Sequence, residues 1–262
     1  MLHNLDSDSS KIIEAVRSTG VVVTEAMRLY VDYIVSNMKA IGTWSLCSAV
    51  YGFVGGTAAS HKWNWKDLRD VDAAFRLTFP NGATHNANGI STNGTNQYLE
   101  TNFNVSTLTT RDNHLSIYLK SVNASTTHHI IGASNSSIST SQILLISRTG
   151  VSTFLSSSNS NYQAFNSNQT NLTGYLVGNS NSTNIFLYKN GTEITGGRVV
   201  GSSTVFPNLT LVISASKNTV SGVVQHSAIT TPFSTIGAGL TDTQAQQQSQ
   251  IVTNAQNILN RA

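Results

Sequence analysis

The chain reads as mainly β, a sandwich with helices at both ends, and three observations carry that expectation. Only 10% of residues are charged, against about 25% in ordinary globular domains. Ser, Thr and Asn take their place, which suits the turns and outward faces of a β protein. From Trp44 onward, short β-branched and aromatic segments alternate with Gly, Asn and Ser clusters, the pattern of many short strands. At the two ends of the chain the apolar spacing is helical instead. The aromatics and alternating apolar runs set the chain apart from disordered sequences of similar polarity.

The first forty residues predict two helices. Asp8-Ser9-Ser10 can cap a short one whose apolar residues are Ile12, Ile13 and Val16, with Gly20 ending it. A second is expected from about Val22 to Ile41, where Val23, Met27, Tyr30, Ile34, Met38 and Ile41 form one stripe. Val21-Val22-Val23 is β-branched and softens that start. Residues 1–43 therefore read as a helical arm, and 44–262 as the sandwich. The stripe has three open destinations: its own sandwich, the arms of sister chains, or another protein. The change of period at Gly42 to Trp44 resembles a module boundary, so an intermolecular interface is expected.

Among the strand candidates, His114–Lys120 alternates, with Leu115, Ile117 and Leu119 pointing one way. Segments 142–148, 173–178 and 210–216 are similar. Asn190-Gly191 supplies the positive φ angles of a two-residue hairpin turn after Ile185–Lys189. A last helix is expected over 241–260. Thr241 and Gln244 make a capping box, Asp242 suits the helix dipole, and Ala245, Gln248, Val252, Ala255 and Leu259 share one face. No fixed-period repeat is present, which argues against a solenoid or propeller.

The net charge of +3 comes from scattered cations without a run, so no nucleic-acid partner is expected. No segment approaches the ~20 apolar residues that span a bilayer, and the opening residues lack a signal peptide's basic start and apolar core. Nine Asn-x-Ser/Thr sequons, among them Asn93, Asn123, Asn171 and Asn208, follow from the Asn, Ser and Thr richness. Cys47, the one cysteine, sits among apolar neighbours and reads as an inert buried thiol.

Four stretches resemble the concanavalin A-like, laminin-G-like jelly-roll family, and within it a group of bacteriophage proteins. They are Tyr51–Asn64 with Asp72–Leu77 after it, Asn93–Leu99, Leu187–Gly191, and Ser234–Thr243 running into the terminal helix. The first is the narrow signature that points to the phage group. The resemblance implies two curved antiparallel sheets and a role in virion architecture, surface decoration or glycan contact. Sister subunits, other virion proteins and host glycans would be the partners, and the virion the location. It transfers no site.

Because family relatives include glycoside hydrolases, a carboxylate pair ~5 to 9.5 Å apart is the feature to seek. Asp70 and Asp72 are the one candidate pair, but they lie between Arg69 and Arg76 and read as ion-paired. Glu193 lies by a turn and Asp242 starts a helix, so no catalytic residue is assigned. His128 and His129 face opposite sides of a strand, and no zinc motif exists. No metal or other cofactor is expected, while calcium held by backbone carbonyls stays open. Gly52-x-x-Gly55-Gly56 lacks a phosphate loop's ending and reads as tight turns. Trp63 and Trp65 are glycan-stacking candidates if exposed and core residues if buried. The leading expectation is a virion structural protein, the alternative a glycan-binding adhesion module, and the remote third a glycoside hydrolase.

Overall fold

The computed structural model describes residues 5–108, 112–123, 128–135, 141–148, 151–158, 173–180, 184–194, 199–200 and 206–261. Asn171 lies outside them. Helix α1 (Ser7–Arg17) begins one turn before the expected cap, because Asp6 accepts from the backbone N–H of Asp8 at 2.8 Å. Helix α2 (Glu25–Ala40) starts only at Thr24, whose side chain accepts from Met27 N–H. The valine run before it stays outside the helix, as β-branched side chains favour. Helices α3 (Thr43–Leu46) and α4 (Ala58–His61) are single turns. Helix α5 (Asp242–Ile258) carries the expected capping box of Thr241 and Gln244.

Among the described residues the strands form two seven-stranded sheets and one of four. The first sheet runs β1 (Cys47–Gly52), β18 (Phe233–Gly237), β5 (Asn113–Leu119), β10 (Gly174–Ser180), β11 (Asn184–Lys189) and β12 (Thr192–Glu193), with β13 (Val199–Val200) on β11. The second runs β16 (Gly222–Val224), β15 (Ser216–Asn218), β7 (His128–Ser134), β14 (Thr210–Ile213) and β4 (Leu99–Asn104). Strands β8 (Ser141–Arg148) and β9 (Val151–Ser158) extend it from β7. Strands β2 (Thr84–Asn86), β3 (Gly89–Ser91), β17 (Ile229–Thr231) and β6 (Ser121–Val122) make the small sheet. Asn190 and Gly191 take φ of 50° and 79° in the turn between β11 and β12. One pairing departs from the antiparallel expectation. The chain reverses at Ser214, where φ is 70°, and β15 then runs parallel to β7 with Lys217 opposite Ala133.

Two apolar layers result. Between the sheets lie Tyr51, Leu115, Ile117 and Leu119 from the first, and Leu99, Phe103, Ile131 and Ile213 from the second. The outer face of the first sheet makes another layer, with Val50, Tyr175, Val177 and Tyr188 packed in one cluster with Ile12, Val16, Tyr30, Ile34, Met38 and Val252. Helix α5 rests on β10 and β11, α2 rests on α5, and α1 on α2.

This corrects the expectation for the arm. Tyr30, Ile34 and Met38 are fully buried within the chain itself, and Val23, Met27 and Ile41 are half-buried. The stripe needs no partner molecule because the outer face of the sheet is apolar and requires a cover. Helices α1 and α2 share one apolar cluster with the outer face of the first sheet, and the change of period at Gly42 falls on a turn. Gly42 itself has φ of 78°.

The double burial also explains why β5 is buried at every position, although its sequence alternates. His114, Ser116 and Tyr118 face the helices, and the polar groups there are linked in series. Gln248 Nε2 donates to the Tyr175 hydroxyl at 2.8 Å, and Tyr175 donates to Ser116 Oγ at 2.6 Å. Ser116 Oγ bonds Thr235 Oγ1, which lies 2.9 Å from His114 Nε2. His114 Nδ1 faces the Ala238 carbonyl, which can only accept. One proton direction serves the run from Tyr175 to His114, in which Nδ1 carries the hydrogen, Nε2 accepts from Thr235 and the ring is neutral, while Gln248 Oε1 is buried without a partner among the described residues. Burial holds the His114 pKa down at about 4.

Two outcomes follow from this packing. A chain beginning at Thr43 lacks α1 and α2 and uncovers the face of α5 on which α2 rests, together with Trp65, which meets Tyr30. It is expected to precipitate or to lose its cooperative thermal transition, and a soluble protein melting near the full chain's temperature would contradict the shared core. Second, unfolded histidines take up a proton near pH 6.5, whereas folded His114 waits until about 4 and buried His61 until about 2. The unfolded state therefore binds more protons below pH 6.5, and stability falls as pH drops, by ~1.4 kcal/mol per unit and ring. Urea denaturation at pH 7 and pH 5 should differ by roughly 2 kcal/mol per ring. A flat profile would remove both histidines from the account.

Candidate functional site

The segment after α4 is where most sequence candidates converge. Trp63-Asn64-Trp65 does not form the alternating strand that would place both indoles on one side. It is a turn held by Asn64, which is buried. Asn64 Oδ1 accepts from Val50 N–H at 3.0 Å and Lys66 N–H at 3.1 Å. Its Nδ2 donates to the carbonyls of Ser48 at 3.2 Å and Ala74 at 3.1 Å. All four of the amide's main hydrogen-bonding positions are used. Trp65 N–H adds a bond to the Val50 carbonyl at 2.8 Å, so the turn is clamped to β1.

Both indoles are core residues, with Trp63 8% and Trp65 3% exposed, which corrects their candidacy as open stacking platforms. Trp65 meets Tyr30 edge-on at 6.2 Å and lies on Gly52, where a Cβ would come within 2.1 Å of the ring. That close approach is why position 52 is glycine. Trp63 lies under the Lys62 ammonium at 4.6 Å.

One edge of this region is open. A cleft of about 290 Å³ is walled by Trp44, Trp65, Lys66, Asp67, Asp8 and Lys11. Trp44 comes from α3, the Trp65–Asp67 group from the clamped turn, and Asp8 and Lys11 from the first turns of α1. Lys66 Nζ donates to the Trp44 carbonyl at 2.7 Å and sits 4.5 Å over its ring, and burial lowers its pKa. Asp8 pairs with Lys39 at 2.8 Å and Lys11 at 3.4 Å. Asp67 takes the Arg69 guanidinium at 2.5 Å. The hydrogen bond from Lys39 holds the Asp8 carboxyl below its ordinary range, and that from Arg69 does the same for Asp67. Both carboxylates are fixed acceptors, both lysines are donors, and the indole edges supply the apolar floor. Such a site can hold a polyhydroxylated ligand. Glycosidic cleavage would need a carboxyl kept protonated beside an ionised one, and neither acid of the cleft is.

The other sequence candidates stand elsewhere. Asp70 pairs with Lys62 at 2.5 Å and Arg76 at 2.9 Å, and Asp72 with Arg76 at 2.6 Å, so the pair is ion-paired as expected, although of the two flanking arginines only Arg76 takes part and Arg69 goes to Asp67. Asp70 is held ionised, chiefly by Lys62. Glu193 lies on β12 opposite Tyr188, and Asp242 opens α5. Gly55 and Gly56 have φ of 95° and 71° and lead into the single turn of α4, a glycine turn as expected, although followed by that short helix. His61 Nε2 accepts from Gly56 N–H at 3.1 Å, so its Nδ1 donates to His85 Nδ1 at 3.1 Å. Cys47 is buried, which pushes its thiol up to about 12. Among the described residues no three His, Cys, Asp or Glu side chains come together, and no helix is long and apolar enough to cross a membrane.

No protein-family model matches the chain, and no curated protein does. Solved structures match at low identity. Domain 4 of a GH43 extracellular arabinanase from Geobacillus stearothermophilus, in complex with arabinotriose, has a TM-score of 0.51 at 14% identity, over 78% of this chain and 98% of that one. Trypanosoma rangeli sialidase in complex with sialic acid gives 0.53 at 13%, over 77% and 32%. The receptor-binding domain of botulinum neurotoxin mosaic serotype C/D gives 0.52 at 11%, over 78% and 50%. The fold is a mainly β sandwich with helices at both ends. At these identities the likeness is one of fold alone. The chain spans about a third of the sialidase chain and half of the toxin chain, and none of the three is a bacteriophage protein.

The cleft is not legible in the sequence because Asp8 and Lys11 arrive from α1, which lies more than thirty residues before Trp44 in the chain. The local signal was the run Trp65-Lys66-Asp67, an aromatic followed by a donor and an acceptor. Asn64 is the residue that places this run. Asn64→Leu strips partners from Val50, Lys66, Ser48 and Ala74, and buried unpaired groups cost ~1 to 3 kcal/mol each. The variant should lose at least about 2 kcal/mol in urea denaturation; an unchanged midpoint would mean that the turn is held by its indoles alone.

Proposed function

We propose that the chain is a non-catalytic, lectin-like saccharide-binding module, and that it serves as a structural or adhesion component of a bacteriophage particle. The observation that carries the first part is the Trp44–Trp65 cleft, where fixed ionised acceptors and ammonium donors ring two indole edges. Recognition there would rest on hydrogen bonds to charged groups, each contributing about 1.5 to 3 kcal/mol. Trp44 already carries Lys66 over its face, so stacking is secondary. The fold neighbour covered almost end to end is an arabinanase domain described with arabinotriose bound, which supports a saccharide as the class of ligand.

The virion setting rests on a different observation, the resemblance of Tyr51–Asn64 to the phage group. In the folded chain this stretch is the Gly52 to Asn64 region that clamps β1, the glycine turn and α4. The arm, covered by the chain's own sheet, supplies no support for anchoring. Attachment to a particle would have to use another surface.

The test of binding is titration of arabinotriose and of a panel of bacterial polysaccharides into the whole protein. Saturable binding is expected, with Asp67→Asn and Lys66→Ala each weakening it at least about tenfold, and no reducing sugar released. Binding unaffected by either substitution would place the site elsewhere. Sugar release abolished by Asp67→Asn would make the protein a hydrolase. Mass spectrometry of purified virions against soluble lysate tests the particle role, and absence from virions would end it.

A further inference from the structure

A second cleft, sharing no residue with the first, opens where the outer face of the first sheet meets the end of α5. It measures about 410 Å³, within the range of roughly 300 to 1,000 Å³ typical of small-molecule sites. Its walls include Tyr118 and Lys120 from the end of β5, Thr173 beside β10, Asn190 of the hairpin turn, Thr253 of α5, and Arg261.

The electrostatics of this cleft are one-sided. Arg261 is only 2% exposed. Its Nε donates to the Ala87 carbonyl at 2.6 Å and its Nη2 to the Phe53 carbonyl at 2.7 Å, while its guanidinium sits 5.6 Å over the Tyr30 ring. Its Nη1 is buried without a hydrogen-bond partner among the described residues. Those contacts hold the last described turn on the sandwich, but they are neutral, and no acidic side chain among the described residues pairs with the guanidinium. A buried unpaired charge is destabilising by several kcal/mol, and buried charges are ordinarily paired. Lys120, at the same cleft, makes no ion pair among the described residues. All twelve acidic side chains of the sequence lie in the described part, and none of them lines the cleft.

We infer that this cleft binds a hydroxylated carboxylate, namely an acidic sugar unit. Its carboxylate would compensate Lys120 and Arg261, and its hydroxyls would meet Tyr118, Thr173, Thr253 and the Asn190 amide. An unsubstituted hydrophobic acid would offer nothing to the Tyr118 and Thr253 hydroxyls of the cleft wall, a loss that discriminates against it.

Methyl β-D-glucuronide titrated into the full chain, followed by calorimetry or NMR, tests this, with methyl β-D-glucoside as the neutral match. The glucuronide should bind saturably, at least about tenfold more tightly than the glucoside, and more weakly as salt rises. Lys120→Ala should weaken it at least about tenfold. Because Arg261 also holds the chain end, Arg261→Lys can unfold the protein, so the half-exposed Lys120 decides the matter. Lys66→Ala should leave glucuronide binding intact, which separates this cleft from the one at Trp44. Equal binding of the two glycosides, no binding of the glucuronide, or indifference to Lys120→Ala would each overturn the inference.

Discussion

The structure depends on one constraint: the first sheet is apolar on both faces. Its inner face packs on the second sheet, and its outer face carries Val50, Tyr175, Val177 and Tyr188, which water cannot cover favourably. A sheet exposed on that side would present the kind of apolar patch that promotes association. The chain meets the constraint from both ends. Helices α1 and α2 come from the start and α5 from the finish, and they close over one sheet as a single lid. Residues of α1, α2 and α5 therefore belong to one apolar cluster with the outer face of this sheet.

That double burial has a polar consequence. Strand β5 alternates in sequence as if one face were wet, and its Ser116 and His114 would ordinarily meet solvent. Under α5 they must find partners inside, and the series Gln248, Tyr175, Ser116, Thr235, His114 and the Ala238 carbonyl provides them. Such networks stabilise when complete and are costly when one member fails. A neutral His114 is the condition for the run from Tyr175 to the Ala238 carbonyl, which links the helical cover to pH. Asn179 plays a similar part at the head of α5, exchanging two hydrogen bonds with the Leu240 backbone at 2.7 and 2.8 Å.

Both clefts are by-products of the same closure. The Trp44 cleft exists because α1 lands beside the clamped turn that holds Trp65, Lys66 and Asp67. The Arg261 cleft exists because the chain leaves α5 and returns its last arginine to the carbonyls of Phe53 and Ala87. Each combines residues remote in sequence on elements already held by packing, an arrangement suited to fixed recognition groups. In the Trp44 cleft the carboxylates of Asp8 and Asp67 are committed to ion pairs that hold both below their ordinary range.

Much of the architecture was legible in the residues alone. The helical stripe from Met27 to Met38, the Asn190-Gly191 turn, the capping box at Thr241 and the period-2 run through Leu115, Ile117 and Leu119 are local signals, and local geometry enforces each of them. The sequence also determined that Asp70 and Asp72 would be spoken for, since Arg76 stands within reach. What the stripe of α2 would cover was not legible, because an amphipathic face reports that it must be buried and not against what. Only the tertiary structure decided that the cover is intramolecular, that Trp63 and Trp65 are core, and that Asp8 and Lys11 meet Lys66 and Asp67. The physical reason is the same in each case. Periodicity is a property of neighbours along the chain, whereas burial and charge compensation depend on which distant surfaces the fold brings together.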